Sequence, residues 1–336
     1  MSAIDLRLLP HTATVSADGV LSIGGVTVES MAQEFGTPLF VYDEEHLRTT
    51  CREAVSAFGR DNVIYATKAF LCTAMAQLAH EEGLLLDVAT GGELHVALHA
   101  GVPGNRCVVH GNNKSLDELR MAINAGVKHI VVDSFDELDR LDQLHAEGCA
   151  APRIQLRITP GTHVETHHAI STGQDDSKFG FNLNNGDAHR AIERARNSSS
   201  VDLVGLHCHI GSNVLVIENF ESASAVMVDL FASSGLQELT LGGGLGVAYT
   251  AADVAPTMGQ WAQVLKRATA SLPSTAKVFV EPGRSIVAAA GLTVYRVGTV
   301  KNMVVHSARD LSAVLPIVSA GGAASAGTPP RTSAIQ

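Results

Sequence analysis

The sequence predicts an α/β protein built as a closed (β/α)8 barrel (a TIM barrel), and three features carry that prediction. Short runs rich in β-branched residues alternate with helical patterns along most of the chain. Such alternation is typical of parallel strands joined by helical crossovers. Eight such repeats suit a closed barrel, whereas an open doubly wound sheet would need fewer units and a glycine-rich loop after its first strand.

Eight segments have the composition of buried strands. In chain order they are 62–68, 84–89, 107–112, 129–134, 153–159, 203–211, 238–244 and 277–283. The first, NVIYATK, ends on Lys68, although lysine is seldom buried without a partner. The glycine run follows the seventh strand rather than the first, which favours the barrel over the open sheet.

The segments between the strands have helical spacing and helix-start signals. SLDELRMAINAG and SFDELDRLDQLHAEG begin at Ser115 and Ser134, and each serine has an acidic residue three places on. This spacing is typical of an N-terminal capping pair. Gly126 and Gly148 then stand where helices commonly end.

Residues at both ends of the chain predict an incomplete, β-rich second domain. Residues 19–28 and 291–305 each alternate as an antiparallel hairpin does, and the last residues are rich in Gly, Ala, Ser and Pro, which cannot build a core. We therefore expect an N-terminal segment of the β domain, the barrel, the start of the C-terminal β domain and a low-complexity tail, at 1–30, 31–284, 285–305 and 306–336.

Composition excludes several classes of function. The 336 residues carry a formal net charge of −10 with no basic cluster, which argues against nucleic acid and anionic membranes as partners. The N-terminus lacks the apolar core of a signal peptide, and no apolar run is long enough to span a bilayer. Five scattered cysteines without a CxxC motif predict reduced thiols in a cytoplasmic protein.

Polar residues gather at the predicted carboxyl ends of the strands, where barrel enzymes place their chemistry. The polar or charged residues there are Lys68, Asp87, His110, Asn112, Arg157, His209, Ser212, Glu281 and Arg284, and the glycine run Gly242, Gly243 and Gly244 lies among them. We predict no metal site, because the HCHIG pair has no third ligand nearby in sequence. Each residue alone has an ordinary structural explanation, and their convergence is what indicates a functional site.

One cofactor chemistry uses these residues together. Backbone amides of the Gly242–Gly244 loop, expected at the start of the next helix, suit a phosphate. A lysine such as Lys68 forms a Schiff base with an aldehyde cofactor. A carboxylate such as Glu281 keeps a pyridine nitrogen protonated and makes the ring an electron sink. The pattern therefore predicts pyridoxal 5′-phosphate.

Eight segments carry a resemblance to a known family, and they follow the family's order. They are TPLFVYDEEHLR, YATKAF, LDVATGGEL, HGNNKS, SKFGFN, HCHIGSN, LGGGLGVAYT and EPGRSIV, between residue 37 and about residue 290. The chain resembles the barrel-type pyridoxal-phosphate enzymes with the alanine racemase-like fold, and within them the diaminopimelate decarboxylase family. HGNNKS is less similar to the related ornithine and arginine decarboxylases.

The resemblance implies a role for each residue. Lys68 is the Schiff-base lysine, Glu281 the partner of the pyridine nitrogen, and His209 the residue stacked on the cofactor ring. The phosphate is held by Ser212, Gly242, Gly243 and Gly244, and Arg284 binds the substrate carboxylate. Asp87, Arg157, Pro282 and Gly283 are further members of the cofactor pocket. The implied reaction is decarboxylation of meso-2,6-diaminopimelate to L-lysine in a cytoplasmic homodimer.

The chain departs from the family near its C-terminal end. The family's complete β domain brings a cysteine proton donor with a neighbouring glutamate and tyrosine to the partner subunit, and the DGG and Cys-Glu-Ser segments expected there are absent. We expect a truncated β domain and low activity of residues 1–336. Two alternatives stay open, namely a related basic amino-acid decarboxylase or racemase, and a non-catalytic pyridoxal-phosphate-binding protein.

Overall fold

The computed structural model describes residues 5–161, 178–209, 211–306 and 312–320, with side chains up to residue 301. The chain divides into two compact units, one of residues 1–47 and 289–336 and the other of residues 48–288. Ile210 in the sixth predicted strand, the residues 307–311 and 321–336 of the predicted tail, and the first residue of SKFGFN lie outside the described residues.

The strands of the described residues are short. They are β1 Thr14–Val15, β2 Leu21–Ile23, β3 Val26–Thr27, β4 Leu39–Tyr42, β5 Ile64–Ala66, β6 Leu85–Val88, β7 Cys107–Val109, β8 His129–Val132, β9 Arg153–Thr159, β10 Phe181–Asn182, β11 Asp202–His207, β12 Glu238–Thr240, β13 Lys277–Phe279, β14 Gly291–Val294, β15 Val297–His306 and β16 Ser312–Ala320.

The α-helices of the described residues mostly lie between these strands. They are α1 Val28–Phe35, α2 Glu44–Phe58, α3 Thr73–Glu81, α4 Gly91–His99, α5 Leu116–Asn124, α6 Phe135–Ala146, α7 Asp187–Asn197, α8 Glu218–Ser234, α9 Met258–Ala268 and α10 Arg284–Val287. In the part of the chain that the structure describes, no helix has both the length and the apolar character needed to cross a bilayer.

The second unit confirms the predicted barrel. Strands β5, β6, β7, β8, β9, β11, β12 and β13 pair in chain order and in parallel. A parallel bridge between Val63 and Val280, with a hydrogen bond of 2.8 Å from Ile64 N–H to Val280 C=O, joins the last strand to the first. β10 is a short addition to β9 that the sequence did not predict.

Apolar strand residues fill the barrel, and the predicted capping residues begin its helices. Ile64, Leu85, Val108, Val131 and Phe279 form one buried cluster drawn from five strands. The Ser115 side chain accepts from the Glu118 amide in a full capping box, and the Ser134 side chain accepts from the Glu137 amide at the start of α6. Gly126 and Gly148 have φ of +62° and +96°, as expected for glycines that follow a helix.

The first unit corrects two predictions. Residues 19–28 do form an antiparallel hairpin, β2 with β3. Residues 291–305 do not, because β14 pairs with β4 and β15 pairs with β16. β16 also lies inside the segment predicted as a low-complexity tail. Its sequence, SAVLPIVSA, alternates well enough to pair along a strand, and only the residues after it have the tail composition.

Candidate active site

The loops that follow the barrel strands enclose a cavity of about 400 Å³. Eight of the residues singled out in the sequence line it: Lys68, Asp87, His209, Ser212, Gly244, Glu281, Gly283 and Arg284. Gly242, Gly243, Pro282 and Arg157 lie outside its lining. The strands thus bring most of the predicted site to one place, although the roles of the individual residues stay predictions.

Lys68 is not the last residue of a strand but the middle of a single 3-10 turn, Thr67–Ala69, that follows β5. The Thr67 hydroxyl donates to the Asp87 carbonyl at 2.6 Å and joins this turn to the end of β6. The Lys68 side chain is exposed and borders the cavity. The barrel therefore delivers an accessible amine rather than a buried ammonium group.

Glu281 is buried, and two histidines lie against its carboxylate. Oε2 lies 2.9 Å from His207 Nε2, and Oε1 lies 3.1 Å from His110 Nε2. The first contact is an aligned hydrogen bond. The second is not, and Oε1 has no well-directed hydrogen bond within the described part of the chain. A buried carboxylate oxygen without such a partner is costly unless a ligand supplies one.

Asp87 belongs to the same cluster of ionisable side chains, because its Oδ1 lies 3.8 Å from His110 Nε2. Burial raises the pKa of Asp87 to about 6, against the opposing effect of His110. Burial alone would lower the pKa of His110, but Asp87 and Glu281 outweigh it and the pKa is raised. Burial opposes the ionisation of Glu281, yet His207 and His110 keep its pKa well below the ordinary value.

The ligand atoms of His110, His207 and Glu281 all lie within 4.8 Å of one another. Of the two histidines in HCHIG, only His207 belongs to this group, and His110 and Glu281 join it from distant parts of the chain. The absence of a third ligand nearby in sequence was therefore an insufficient reason to predict that no metal site exists. The three side chains are deeply buried, and the ionised carboxylate already accepts a hydrogen bond, so we assign the group to the organisation of Glu281.

The glycine run after β12 packs against the neighbouring backbone so closely that no side chain fits. A Cβ on Gly243 would meet the Glu281 carbonyl oxygen at 1.9 Å, and one on Gly244 would meet the Gly211 carbonyl oxygen at 2.2 Å. Gly242 has φ of +65°. The prediction that this loop starts a helix was wrong, because α9 begins only at Met258. The loop amides stay the predicted phosphate ligands.

His209 lies beside this loop. Its Nδ1 accepts a long hydrogen bond of 3.4 Å from the Gly243 amide. Burial lowers the pKa of His209 well below the ordinary value, with Lys68 and Arg157 adding to the effect. A neutral imidazole, tied at Nδ1, is therefore presented on the cavity wall.

Arg284 begins α10 and borders the other side of the cavity. Its guanidinium donates to the Ser212 hydroxyl at 3.2 Å and to the Tyr249 hydroxyl, and it lies 5.8 Å from the centre of the Tyr249 ring. A planar donor with several N–H groups suits a carboxylate or phosphate ligand. Arg157 instead lies 3.7 Å from Asp133 and over the Phe179 ring, away from the cavity lining.

The HGNNKS segment contains a lysine that is truly buried. Lys114 is 2% exposed, and its Nζ lies 2.7 Å from Glu137 Oε1 while donating to the carbonyls of Gly111 and Val131 at 2.6 and 2.8 Å. These bonds fix the loop that carries His110. The motif therefore has a structural explanation that its resemblance to the family did not supply.

Sequence reasoning missed the positions of His207, Tyr249 and Lys114 in this arrangement. His207 precedes His209 by two residues, and alternate strand residues share a face, so the HCHIG spacing held a usable signal. Tyr249 follows the glycine loop without any distinguishing pattern. Nothing in the local sequence distinguishes the buried Lys114 from an exposed lysine.

The barrel and the cavity residues define a class, the pyridoxal-phosphate-dependent decarboxylases of the barrel type. Residues 44–288 match the model of the pyridoxal-dependent decarboxylase, pyridoxal binding domain. This match spans the whole of the second unit, including every strand of the closed barrel.

Within this class the chain belongs to the diaminopimelate decarboxylase family. It is 43% identical to the diaminopimelate decarboxylase of Mycobacterium tuberculosis H37Rv, across 88% of this chain and 69% of that one. It is 41% identical to that of Bacillus subtilis strain 168, across 88% and 71%. The structure of the M. jannaschii diaminopimelate decarboxylase in complex with L-lysine superposes with a TM-score of 0.80 at 31% identity, across 88% of this chain and 71% of that one.

Proposed function

We propose that the chain is the catalytic barrel of a diaminopimelate decarboxylase with pyridoxal 5′-phosphate as its cofactor. The reaction removes one carboxyl group of meso-2,6-diaminopimelate as CO2 and yields L-lysine. The observation that carries the proposal is the placement of Lys68, Glu281 and Arg284 around one cavity. The curated relatives bear this activity in their names, and a related structure contains L-lysine.

The residues present fit the cofactor. Glu281 Oε1 is a buried acceptor with no well-directed hydrogen bond, which suits the N–H of a protonated pyridine ring. The Gly242–Gly244 loop packs against the backbone of the neighbouring strand ends, and its last residue, Gly244, lines the cavity together with the hydroxyl-bearing Ser212, so loop amides and a hydroxyl are available for a phosphate. Lys68 would hold the aldehyde carbon, and His209 the ring face. When bound, the cofactor would supply an aldehyde and a ring that stabilises the electron pair left on the α-carbon when the carboxylate departs as CO2.

The residues of the chain divide the remaining tasks. Glu281 keeps a negative charge at its buried position, because His207 and His110 hold its pKa well below the ordinary value. Arg284 offers N–H donors to a substrate carboxylate at the rim of the cavity. Asp87, with a pKa of about 6, accepts or releases a proton near neutral pH. Gly283 lines the cavity, whereas the predicted contacts of Arg157 and Pro282 with the cofactor have no counterpart in its lining.

The reaction is tested by supplying the purified, cofactor-loaded protein with meso-diaminopimelate, ornithine, arginine and lysine in separate assays. Mass spectrometry should detect lysine from the first and no diamine product from the others. Release of a diamine would favour a related basic amino-acid decarboxylase, and cofactor binding without any product would favour a binding protein.

The role of Lys68 has its own test. Borohydride reduction followed by peptide mapping should place the pyridoxyl group on Lys68 and should give no adduct in Lys68→Ala. Lys266→Ala removes an exposed lysine from α9 and serves as the matched control that keeps the adduct. An adduct at another lysine would overturn the assignment.

We further propose a cytoplasmic homodimer with a β domain that draws on residues 1–30 and 285–305. Exposed apolar side chains in the first unit support an association surface, with Phe35 and Phe40 67% and 71% exposed. Sedimentation equilibrium of the purified protein should give twice the chain mass. A monomer at all concentrations would contradict the dimer.

A further inference from the structure

The two oxygens of the Glu281 carboxylate have unequal surroundings. Oε2 is held by an aligned hydrogen bond of 2.9 Å to His207, whereas Oε1 lies near His110 without such a bond. A carboxylate with two equivalent oxygens can rotate and offer either one. Here the structure distinguishes them, because only Oε2 has a fixed donor among the described residues.

The donor on Oε2 is a neutral imidazole. An ionised carboxylate only accepts hydrogen bonds, so His207 Nε2 carries the proton and donates. Burial lowers the pKa of His207 to about 4, against the opposing effect of Glu281, and its buried Nδ1 has no hydrogen-bond partner in the described chain. His207 is therefore the Nε2–H tautomer at neutral pH and brings no positive charge to Glu281.

The absence of charge on this donor has a consequence. A lysine or arginine at the same place would also orient Glu281, but it would neutralise the carboxylate by a close ion pair. An uncharged N–H orients the group without adding a second close cation to His110. His110 differs in this respect, because it lies between Asp87 and Glu281 and its pKa is raised.

His207 is also rigidly placed. It is the last residue of β11, in register with Arg157 on one neighbouring strand and Thr240 on the other. The side chain is 1% exposed, and the next amide, that of Cys208, donates to the Thr240 carbonyl at 2.9 Å. A side chain on a paired strand holds its partner more precisely than one on a loop.

We propose that His207 is a positioning residue for Glu281, whose Nε2–H holds Oε2 in place and leaves Oε1 as the oxygen that accepts from the protonated ring nitrogen of the cofactor. The inference rests on the proposed role of Glu281 and adds the residue that prepares it. His207 touches neither substrate nor cofactor in this account and acts only through the carboxylate.

The test measures the protonation of the cofactor ring rather than activity alone. Pyridoxal phosphate labelled with 15N in its ring is bound to the protein, to His207→Leu, to His207→Gln and to Glu281→Gln, and the 15N chemical shift is recorded. His207→Gln keeps an N–H near the position of Nε2 and is the conservative rescue. His129→Leu, which removes another fully buried histidine from the barrel, is the matched control.

The expected result is a shift toward the unprotonated pyridine in Glu281→Gln and His207→Leu, with His207→Gln close to the parent and His129→Leu unchanged. Turnover of His207→Leu should fall about 10- to 100-fold, as for other residues that orient a ligand-binding group. Cofactor content should change little, since the phosphate loop is intact. If the 15N chemical shift changes in Glu281→Gln but stays at the parent value in His207→Leu, the role of His207 alone is overturned. If the shift stays at the parent value in Glu281→Gln, the role of Glu281 is overturned, and with it this inference.

A second measurement needs no variant. With 15N-labelled histidine, the two-bond couplings of the unaltered cofactor-free protein should report His207 as the neutral Nε2–H tautomer at neutral pH. A protonated ring or the Nδ1–H tautomer would contradict the proposal even if the His207→Leu protein failed to fold.

Discussion

Replacing Lys114 by Met should destabilise the barrel strongly, although Lys114 does not border the active-site cavity. The substitution keeps most of the side-chain volume and removes only the ammonium group. Glu137, itself 2% exposed, would then be a buried carboxylate without its cation, and the carbonyls of Gly111 and Val131 would lose a donor. Removing one member of a buried ion pair costs about 3–5 kcal/mol.

Each kcal/mol of lost stability lowers the melting temperature of a unit of this size by about 2–4 °C, so the melting temperature should fall by about 6–20 °C. Lys114→Met with Glu137→Gln should recover at least half of the loss, because the second change removes the unpaired charge and keeps an acceptor for the Asp133 amide. Arg120→Met is the matched control. It breaks an exposed pair of 2.8 Å and should leave the unfolding midpoint nearly unchanged.

The assay is urea unfolding of the parent and variants, followed by two probes to check two-state behaviour. Burial already raises the pKa of Glu137, against the opposing effect of Lys114, and loss of Lys114 should raise it further. The folded variant then holds a proton at a pH where the unfolded chain has lost it, so its deficit should shrink as the pH falls from neutral toward the ordinary pKa of a glutamate. A loss below about 1 kcal/mol, or a deficit independent of pH, would refute the reasoning.

Three further predictions concern the cavity. Glu281→Gln should retain the cofactor but lose several orders of magnitude in kcat, each tenfold corresponding to about 1.4 kcal/mol, and near-full turnover in steady-state assays would contradict this. Gly243→Ala should weaken cofactor binding at least about tenfold in a fluorescence titration, because the added Cβ would meet the Glu281 carbonyl oxygen at 1.9 Å. In the control Gly259→Ala the added Cβ has no contact closer than 3.9 Å, and this variant should bind the cofactor normally. Arg284→Lys should raise KM for diaminopimelate more than it lowers kcat, and an unchanged KM would show that the guanidinium does not bind substrate.

The barrel could be predicted from the sequence because each strand has its own local signal. Runs such as NVIYA and HIVV are apolar and β-branched on both faces, and the Ser115 and Ser134 caps mark the helices that follow. The ends of the strands could not be placed, because the same apolar pattern continues into the loops. Lys68 illustrates this, as the strand stops at Ala66 and the lysine lies in a separate turn.

The pairing of residues 291–305 failed for a related reason. Alternation indicates that a segment is a strand but does not identify the strand it pairs with. β14 pairs with β4, which lies near the other end of the chain. The residues that line the cavity could be predicted as a group because a barrel brings the ends of its strands together. His207 was assigned no role because its contact with Glu281 depends on strand order around the barrel, which the local HCHIG pattern does not contain.

The closure of the barrel between Val63 and Val280 also bears on how the protein is made. Glu281 and the Pro282 carbonyl that pairs with Ala66 belong to the last strand and the residues just after it. During synthesis the Lys68 turn leaves the ribosome before Glu281 has been made, so the nascent chain carries the proposed Schiff-base lysine without its proposed carboxylate partner. The pairing joins distant parts of the sequence, and contacts of such long sequence separation form more slowly than local ones. The proposed cofactor site is therefore complete only after the polypeptide has been extended past its eighth barrel strand.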